Sequence, residues 1–171
     1  MQKHTFSFYL GVGSLLLVGL LGLIQPLAVH AAGQTTSKAY EVIQFGGHKT
    51  IVREVSFDTT SVSGMEALNL SGLNVVTKDS SFGPYVCSIE GVGDCTGAAP
   101  YYWAYYNWNT TSSAWVSSAV GAGSATVSDG AGEGWVYLSF SFIGDPVLPS
   151  LQRAKAVPAA IAWLQAQQDT S

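Results

Sequence analysis

A run of aromatic residues dominates one stretch of the chain and predicts its central β-hairpin. Residues 101–108 read YYWAYYNW, and aromatic side chains favour a pleated, half-buried surface. The segment 109–113 (NTTSS) suits a turn, and 114–118 (AWVSS) suits the return strand. Because successive strand residues point to opposite faces, one face carries Tyr101, Trp103, Tyr105 and Asn107, and the other carries Tyr102, Ala104, Tyr106 and Trp108. One set suits a core; the other needs a second layer, a partner or a ligand.

In residues 58–73 the spacing of the apolar residues changes from that of a strand to that of a helix, which predicts a short helix between strands. Ser63 and Glu66 have the spacing of a capping box. Gly72 suits the position just after the last turn of this helix. The predicted buried stripe consists of Met65, Leu68 and Leu70.

The remaining alternating runs predict further strands and thereby the fold class. They lie at 39–45, 50–57, 74–79, 85–89, 124–127 and 135–142, between Gly-, Ser- and Pro-rich turns. We therefore expect an α+β protein: a small β-rich, β-grasp-like domain of about seven or eight strands and one short helix, with a C-terminal helix added.

The C-terminal region differs in composition from the rest. Residues 144–149 contain two Pro and predict a linker, and the Ala-, Leu- and Gln-rich residues that follow predict a helix up to residue 171. Pro158 suits the first turn of a new helix. The expected apolar stripe of that helix is Ala160, Ile161 and Leu164, with Trp163 on its flank.

The N-terminus has the pattern of an export signal. Lys3 precedes an apolar run at 10–24, and small residues follow near Ala31, so residues 1–31 are predicted to be a secretory signal peptide. The apolar run is short for a membrane span, and none is expected after signal removal. Residues 32–38 are predicted as a disordered leader and 39–143 as the folded domain. We expect a secreted, extracellular protein.

Composition narrows the class of partner. Only 11% of the residues are charged, the net charge is −4, and no run of basic residues occurs. A nucleic-acid partner is therefore not expected. The 19 Gly and 47% hydrophobic residues fit a β-rich extracellular domain.

Two cysteines, Cys87 and Cys95, remain to be explained. An even number in an exported protein favours a disulfide, here closing the loop SIEGVGD. The rival interpretation, a metal site with Glu90 and Asp94, has too few ligands, so we expect no metal.

Candidate catalytic residues are few. His48 is the one His outside the signal region, and its position beside two Gly predicts an exposed turn. Asp129 and Glu133 lie in a Gly-rich stretch, which predicts solvated carboxylates with at most weak Ca²⁺ contact. We expect a protein that is not an enzyme and has no catalytic residues.

Three segments together resemble the transcobalamin-like C-terminal domain family. They are SGMEAL (63–68), GPYVCSIEGVGDC (83–95) and the region 101–135 with its Asn107, Gly121–Ala122 and Asp129–Gly130. The second acid of the family's last turn is replaced by Ala131. Residues 159–171 also resemble the opening helix of a terpenoid-cyclase or prenyltransferase-like α/α-toroid. This second resemblance implies a toroid domain as a possible partner or a truncated product, and a plain amphipathic helix is the alternative.

The first resemblance implies a corrinoid such as cobalamin as a small-molecule ligand. Tyr and Trp side chains suit such an amphipathic ligand. The expected ligand-binding residues are Tyr106, Asn107, Trp108, Trp115, Gly121 and Gly123. The alternative is an extracellular module that binds a protein or a glycan and has no small ligand.

Overall fold

The computed structural model describes residues 35–46, 49–81, 83–144 and 146–168. The predicted signal peptide, the start of the leader and His48 lie outside these residues. The described strands are β1 (Ser37–Gln44), β2 (Thr50–Phe57), β3 (Ser61–Ser63), β4 (Val75–Ser80), β5 (Gly83–Ile89), β6 (Tyr101–Asn109), β7 (Ala114–Ser117), β8 (Thr126–Ser128) and β9 (Gly132–Ser139). The helices are α1 (Gly64–Leu70) and α2 (Leu151–Gln168).

The strands form one central sheet and two small ones. The central sheet has the order β2-β1-β9-β6-β7, while β3 pairs with β8 and β4 with β5. The β1–β9 pair is parallel, and the other strand pairs are antiparallel. The α+β, β-rich class is thus confirmed. The predicted number of strands is corrected to nine among the described residues, and the β-grasp detail is not confirmed.

The additional strand is β3, which lies directly before α1, within residues 58–73, for which the sequence predicts a short helix. Ser63 ends this strand and caps the helix: its hydroxyl accepts the Glu66 N–H, and the Glu66 carboxylate accepts the Ser63 N–H. Gly72 follows α1 with a φ of +70°, which glycine adopts without strain. The predicted cap is therefore confirmed. Leu68 is buried as expected, but Leu70 is 49% exposed.

The central sheet is covered on both faces. On one face, here called the α1 face, α1 and the β4–β5 hairpin pack over Ile43, Trp103 and Trp135. On the other, the α2 face, Leu148 and Ala154 pack over Val42, Val136 and Leu138. Every strand in the middle of the sheet therefore has two buried sides, and the aromatic hairpin contributes to both layers.

Three predicted boundaries differ from the structure. β1 begins at Ser37, within the predicted leader. β9 ends at Ser139, because the chain turns there and Phe142 N–H donates to the Ser139 carbonyl. Pro158 lies inside α2 and does not begin a new helix. Since proline lacks an N–H, α2 loses one backbone hydrogen bond at this point. Within the described residues, no helix is long and apolar enough to cross a membrane.

Candidate functional site

The aromatic hairpin is part of a two-sided core, which is one of the two interpretations open from sequence. Trp103 is 4% exposed on the α1 face, where its indole N–H donates to the Val92 carbonyl at 3.0 Å. Tyr106 is half-buried on the α2 face. The alternation predicted for residues 101–108 thus places the two sets of rings in two different layers.

A tryptophan pair marks the far end of the α2 face. Trp108 and Trp115 are directly opposite each other on β6 and β7, with ring centroids 5.3 Å apart and an interplanar angle of 73°. This edge-to-face arrangement is one that aromatic pairs prefer. Both rings are half-buried, so the pair is partly accessible to a ligand.

The segment before α2 covers this pair. The Trp115 indole N–H donates to the Pro149 carbonyl at 2.9 Å. The missing side chain of Gly134 makes room for the segment: a Cβ there would lie 2.7 Å from Leu148 Cδ1 and 3.1 Å from the Trp115 ring. The predicted ligand face is therefore occupied in part by the protein's own chain.

Beside the segment lies an open cleft of about 630 Å³ between β2 and α2. This volume is in the range typical of small-molecule sites. Its walls are mostly apolar, and its polar groups are two hydroxyls and one guanidinium. The lining residues are Thr50, Val52, Val147, Leu148, Pro149, Ser150, Arg153, Ala154 and Val157.

The other predicted site residues lie elsewhere. Asn107 is on the α1 face, where its amide donates to Glu133 Oε1 at 2.7 Å. The loop 121–123 also lies on the α1 side, since the Ala122 carbonyl accepts the Met65 N–H and Ala122 is buried in that core. The predicted site thus combines residues from two faces of the sheet. Tyr106, Trp108 and Trp115 lie together on the α2 face, whereas Asn107, Gly121 and Gly123 lie on the α1 side.

Two buried carboxylates form a cluster that sequence reasoning missed. Glu41 is fully buried and Glu133 is 2% exposed, and the two are paired in register on β1 and β9. Tyr105 donates its hydroxyl hydrogen to Glu133, and the Trp135 indole N–H donates to Glu41 Oε2 at 3.1 Å. The prediction that Glu133 is solvated is wrong, because it belongs to the central strand β9 and not to a turn.

Burial controls the ionisation of this cluster. Desolvation raises the pKa of Glu133 to about 7, against the opposing hydrogen bonds from Tyr105 and Asn107. Desolvation, with the charge of Glu133 as a second cause, raises the pKa of Glu41 well above its ordinary value. Burial likewise raises the pKa of Tyr105. Uncharged forms are therefore favoured here.

Both carboxylates of this cluster are buried, whereas Tyr105 and Asn107, which bond Glu133, are half-buried. A Cβ on Gly64 would lie 2.6 Å from Glu133 Oε2, so the start of α1 closes directly over the carboxylate. Glu41 Oε1 is buried without a hydrogen-bond partner among the described residues. In the described part of the chain, no group of three or more His, Cys, Asp or Glu is arranged to hold a metal ion.

The disulfide predicted between Cys87 and Cys95 is confirmed. It closes the loop that carries Val92, the acceptor for Trp103. This bond therefore helps to fix the α1 face.

Two further stacked aromatic pairs lie at the opposite end of β6 and β9, one on each face of the sheet. Tyr101 stacks on Tyr137 at 5.4 Å between centroids, and Tyr102 stacks on Phe140 at 4.8 Å. Tyr101 is 48% exposed and Phe140 is 69% exposed. Their ring faces are therefore available to a partner.

Comparisons with known proteins do not assign this chain to a family. No protein-family model matches the sequence, and no curated protein matches it. A candidate metal-binding protein from Ruminococcus gnavus ATCC 29149 is similar in structure, with 16% identity, a TM-score of 0.49, and coverage of 60% of this chain and 97% of that chain. Haptocorrin, solved in complex with Cbi, has 18% identity and a TM-score of 0.49, and the match covers 63% of this chain but 26% of haptocorrin.

Structural similarity with TM-scores below 0.5 and identities below 20% does not indicate a ligand or an activity for this chain. The resemblance to the transcobalamin-like domain family stays a prediction from the sequence motifs, and the toroid resemblance is unsupported.

Proposed function

We propose that this chain is an exported, non-enzymatic module that binds a small amphipathic molecule on the α2 face. The observation that carries the proposal is the apolar cleft of about 630 Å³ beside the segment that covers Trp115. Concave, mostly apolar sites with a few polar groups are the usual form of small-molecule sites. Neither tryptophan lines the cleft, which lies by β2, at the opposite edge of the sheet from β7. Pro149 links the two places, since it lines the cleft and its carbonyl accepts the Trp115 indole N–H.

A corrinoid such as cobalamin is the specific ligand that we propose, because the sequence resembles a family with such ligands. The ligand would lie against Leu148 and Pro149 in the cleft. Trp115 lies directly behind this segment, bonded to the Pro149 carbonyl. A shift of the segment would bring the ligand onto the Trp108–Trp115 pair, as the sequence predicted.

Export is supported by the disulfide, since such bonds persist in oxidising compartments. The predicted signal peptide also favours export from the cell. We therefore propose that the module works outside the cell.

Tryptophan fluorescence of the purified chain, titrated with cobalamin and corrected for ligand absorption, tests the proposal. We expect saturable quenching in the wild type. Val157→Arg places a charged side chain at a cleft wall, and we expect it to abolish the quenching.

Ile161→Arg is the matched control, because it makes the same change one helical turn away at an exposed position outside the cleft. It should bind as the wild type does. Circular dichroism of each variant would confirm that it is folded. No change in the corrected fluorescence of the wild type, or equal quenching in both variants, would contradict the binding of cobalamin in the cleft.

The second candidate function is recognition of an extracellular protein or glycan by the exposed rings at the opposite end of the sheet. The stacked pairs Tyr101–Tyr137 and Tyr102–Phe140 support it, because exposed aromatic groups are frequent at interaction sites. A glycan array and a surface-protein pull-down with wild type and Phe140→Ser would test it. Loss of a specific interaction in the variant alone would favour this function over the first.

A further inference from the structure

One charged group lines the cleft between β2 and α2. Arg153 is exposed, and the other described lining residues are apolar or carry a hydroxyl. A lone guanidinium above apolar walls gives the cleft a positive rim and an apolar floor. This combination restricts the chemistry of any molecule that fills it.

Nothing described in the protein neutralises this guanidinium. No ion pair of Arg153 occurs among the described residues, and α2 contains no acidic residue from Leu151 to Gln168. The acid on the same face of β2 nearest the cleft is Glu54, and it is already engaged by Lys38 at 2.6 Å and by the Tyr40 hydroxyl at 3.0 Å. Within the described residues, Arg153 therefore has no carboxylate partner that an outside anion would have to displace.

We infer that the ligand of the cleft is an amphipathic acid, with an alkyl or ring body on the apolar walls and a carboxylate on Arg153. This inference rests on the proposed small-molecule function and narrows its ligand class to molecules with a free carboxylate. Cobalamin has none, because its side chains end in amides, so the inference favours an acidic corrinoid or another amphipathic acid over cobalamin itself. A guanidinium presents several N–H donors in a planar fork that matches a carboxylate. The apolar body would pack against Val52, Leu148 and Val157, which line the walls.

Charge complementarity is the reason to prefer an acid over a neutral or cationic molecule. A cationic ligand would be repelled by Arg153, and by the Lys155 ammonium on the same helix, which lies 5.2 Å from the Tyr40 ring centroid. A neutral ligand would use the walls alone and leave the guanidinium in water. An acid uses both parts of the site, so the carboxylate should add affinity.

The test is an NMR titration of the ¹⁵N,¹³C-labelled chain with octanoate and, separately, with 1-octanol, which has the same number of carbons and no charge. We expect octanoate to shift the Arg153 side-chain signal and the Leu148 and Val157 methyl signals in a saturable way. The affinity for octanoate should exceed that for octanol by up to about fivefold, the gain expected from an ion pair with an exposed guanidinium.

Arg153→Gln should remove this difference by weakening octanoate alone. The matched control is Arg53→Gln, which loses the same charge on β2. Arg53 lies on the opposite face, next to Val52 in the strand, and its loss should leave both affinities unchanged within about twofold. Both side chains are exposed, so both variants should keep the wild-type spectrum.

The outcomes separate the two proposals. Equal binding of octanoate and octanol at the cleft signals would overturn the acid preference and leave the cleft as a small-molecule site. An undiminished affinity of Arg153→Gln for octanoate would overturn it as well. If octanoate, octanol and cobalamin all leave the cleft signals unmoved, the proposed function fails together with the inference.

Discussion

The two faces of the central sheet are closed to different degrees. On the α1 face, Trp103 and Trp135 are 4% and 3% exposed, and each indole N–H has a partner in the core. On the α2 face, Trp115 is half-buried, and a cleft remains beside its covering segment. Rings on the two faces of one sheet therefore have different roles, and the layer above them decides which.

The difference follows from what covers each face. A capped helix, a hairpin and a disulfide-closed loop fill the α1 face with large side chains such as Met65, Leu68 and Ile89. The α2 face is covered by a Pro-containing segment and an Ala-rich helix, whose contact residues are Leu148, Leu151 and Ala154. Small side chains fill less volume, which leaves the cleft.

The largest effect should come from truncating one ring on each face. We expect Trp103→Ala to lower the free energy of unfolding by about 3–5 kcal/mol, because it removes a fully packed ring. Trp115→Ala should cost less, since its ring is only half-buried. Urea unfolding followed by circular dichroism measures both, and equal losses would contradict the difference between the faces.

The buried acids should make the domain less stable as pH rises. The folded pKa of Glu133, about 7, exceeds its ordinary value of 4.5, so its contribution is complete below about pH 4.5 and is lost as pH rises through 7. The pKa difference corresponds to about 3 kcal/mol. Glu41, whose pKa is raised in the same direction, should extend the loss to higher pH.

Unfolding free energies measured from pH 4.5 to 8.5 check this expectation, with Glu133→Gln as the variant that cannot ionise. The slope should decrease in the variant. Stability that is flat or rises with pH in the wild type would refute the assignment of a buried, protonated pair.

The disulfide should matter for the α1 face alone. Replacing Cys87 and Cys95 by Ser should cost about 2–3 kcal/mol, the usual value for a short closed loop. The near-ultraviolet signal of the α1-face rings should weaken, because the loop that carries the Trp103 acceptor is released. Ligand binding at the cleft should persist under conditions where the variant is folded. Loss of cleft binding in a folded variant would show that the two faces are coupled.

The smallest effect should come from Gly134→Ala. Its Cβ would meet Leu148 and the Trp115 ring, and such overpacking costs about 1 kcal/mol or more. The covering segment should move outward, and Trp115 emission should shift to the red. Gly46→Ala is the control, because nothing lies within 4 Å of a Cβ there. Identical spectra for the two variants would argue against close packing of the segment on Gly134.

Local patterns allowed much of the fold to be predicted. The Ser63–Glu66 cap, the break at Gly72, the disulfide and the two-sided hairpin all depend on residues that are close in sequence. The three-residue strand β3 is not predicted, because it is too short to show the alternation of apolar and polar residues that marks a strand. It forms because it pairs with β8, which is distant in sequence.

The site was less predictable, since it depends on contacts between distant residues. Glu41 and Glu133 are 92 positions apart and meet only because β1 pairs in parallel with β9. One signal was present: Glu41 lies within the apolar run AYEVI, where an isolated carboxylate on a buried strand needs a partner. The cleft had no local signal, because it arises from the way in which α2 docks on β2.

Hydrogen exchange of the indole N–H groups, followed by NMR, tests the central claim most directly. Trp103, Trp135 and Trp115 each donate one indole hydrogen bond, the first two on the α1 face and the third to Pro149 on the α2 face. We predict that Trp115 exchanges through local opening of its covering segment, orders of magnitude faster than the other two, which should exchange only on global unfolding. Equal protection of all three would contradict an α2 face that opens to a ligand.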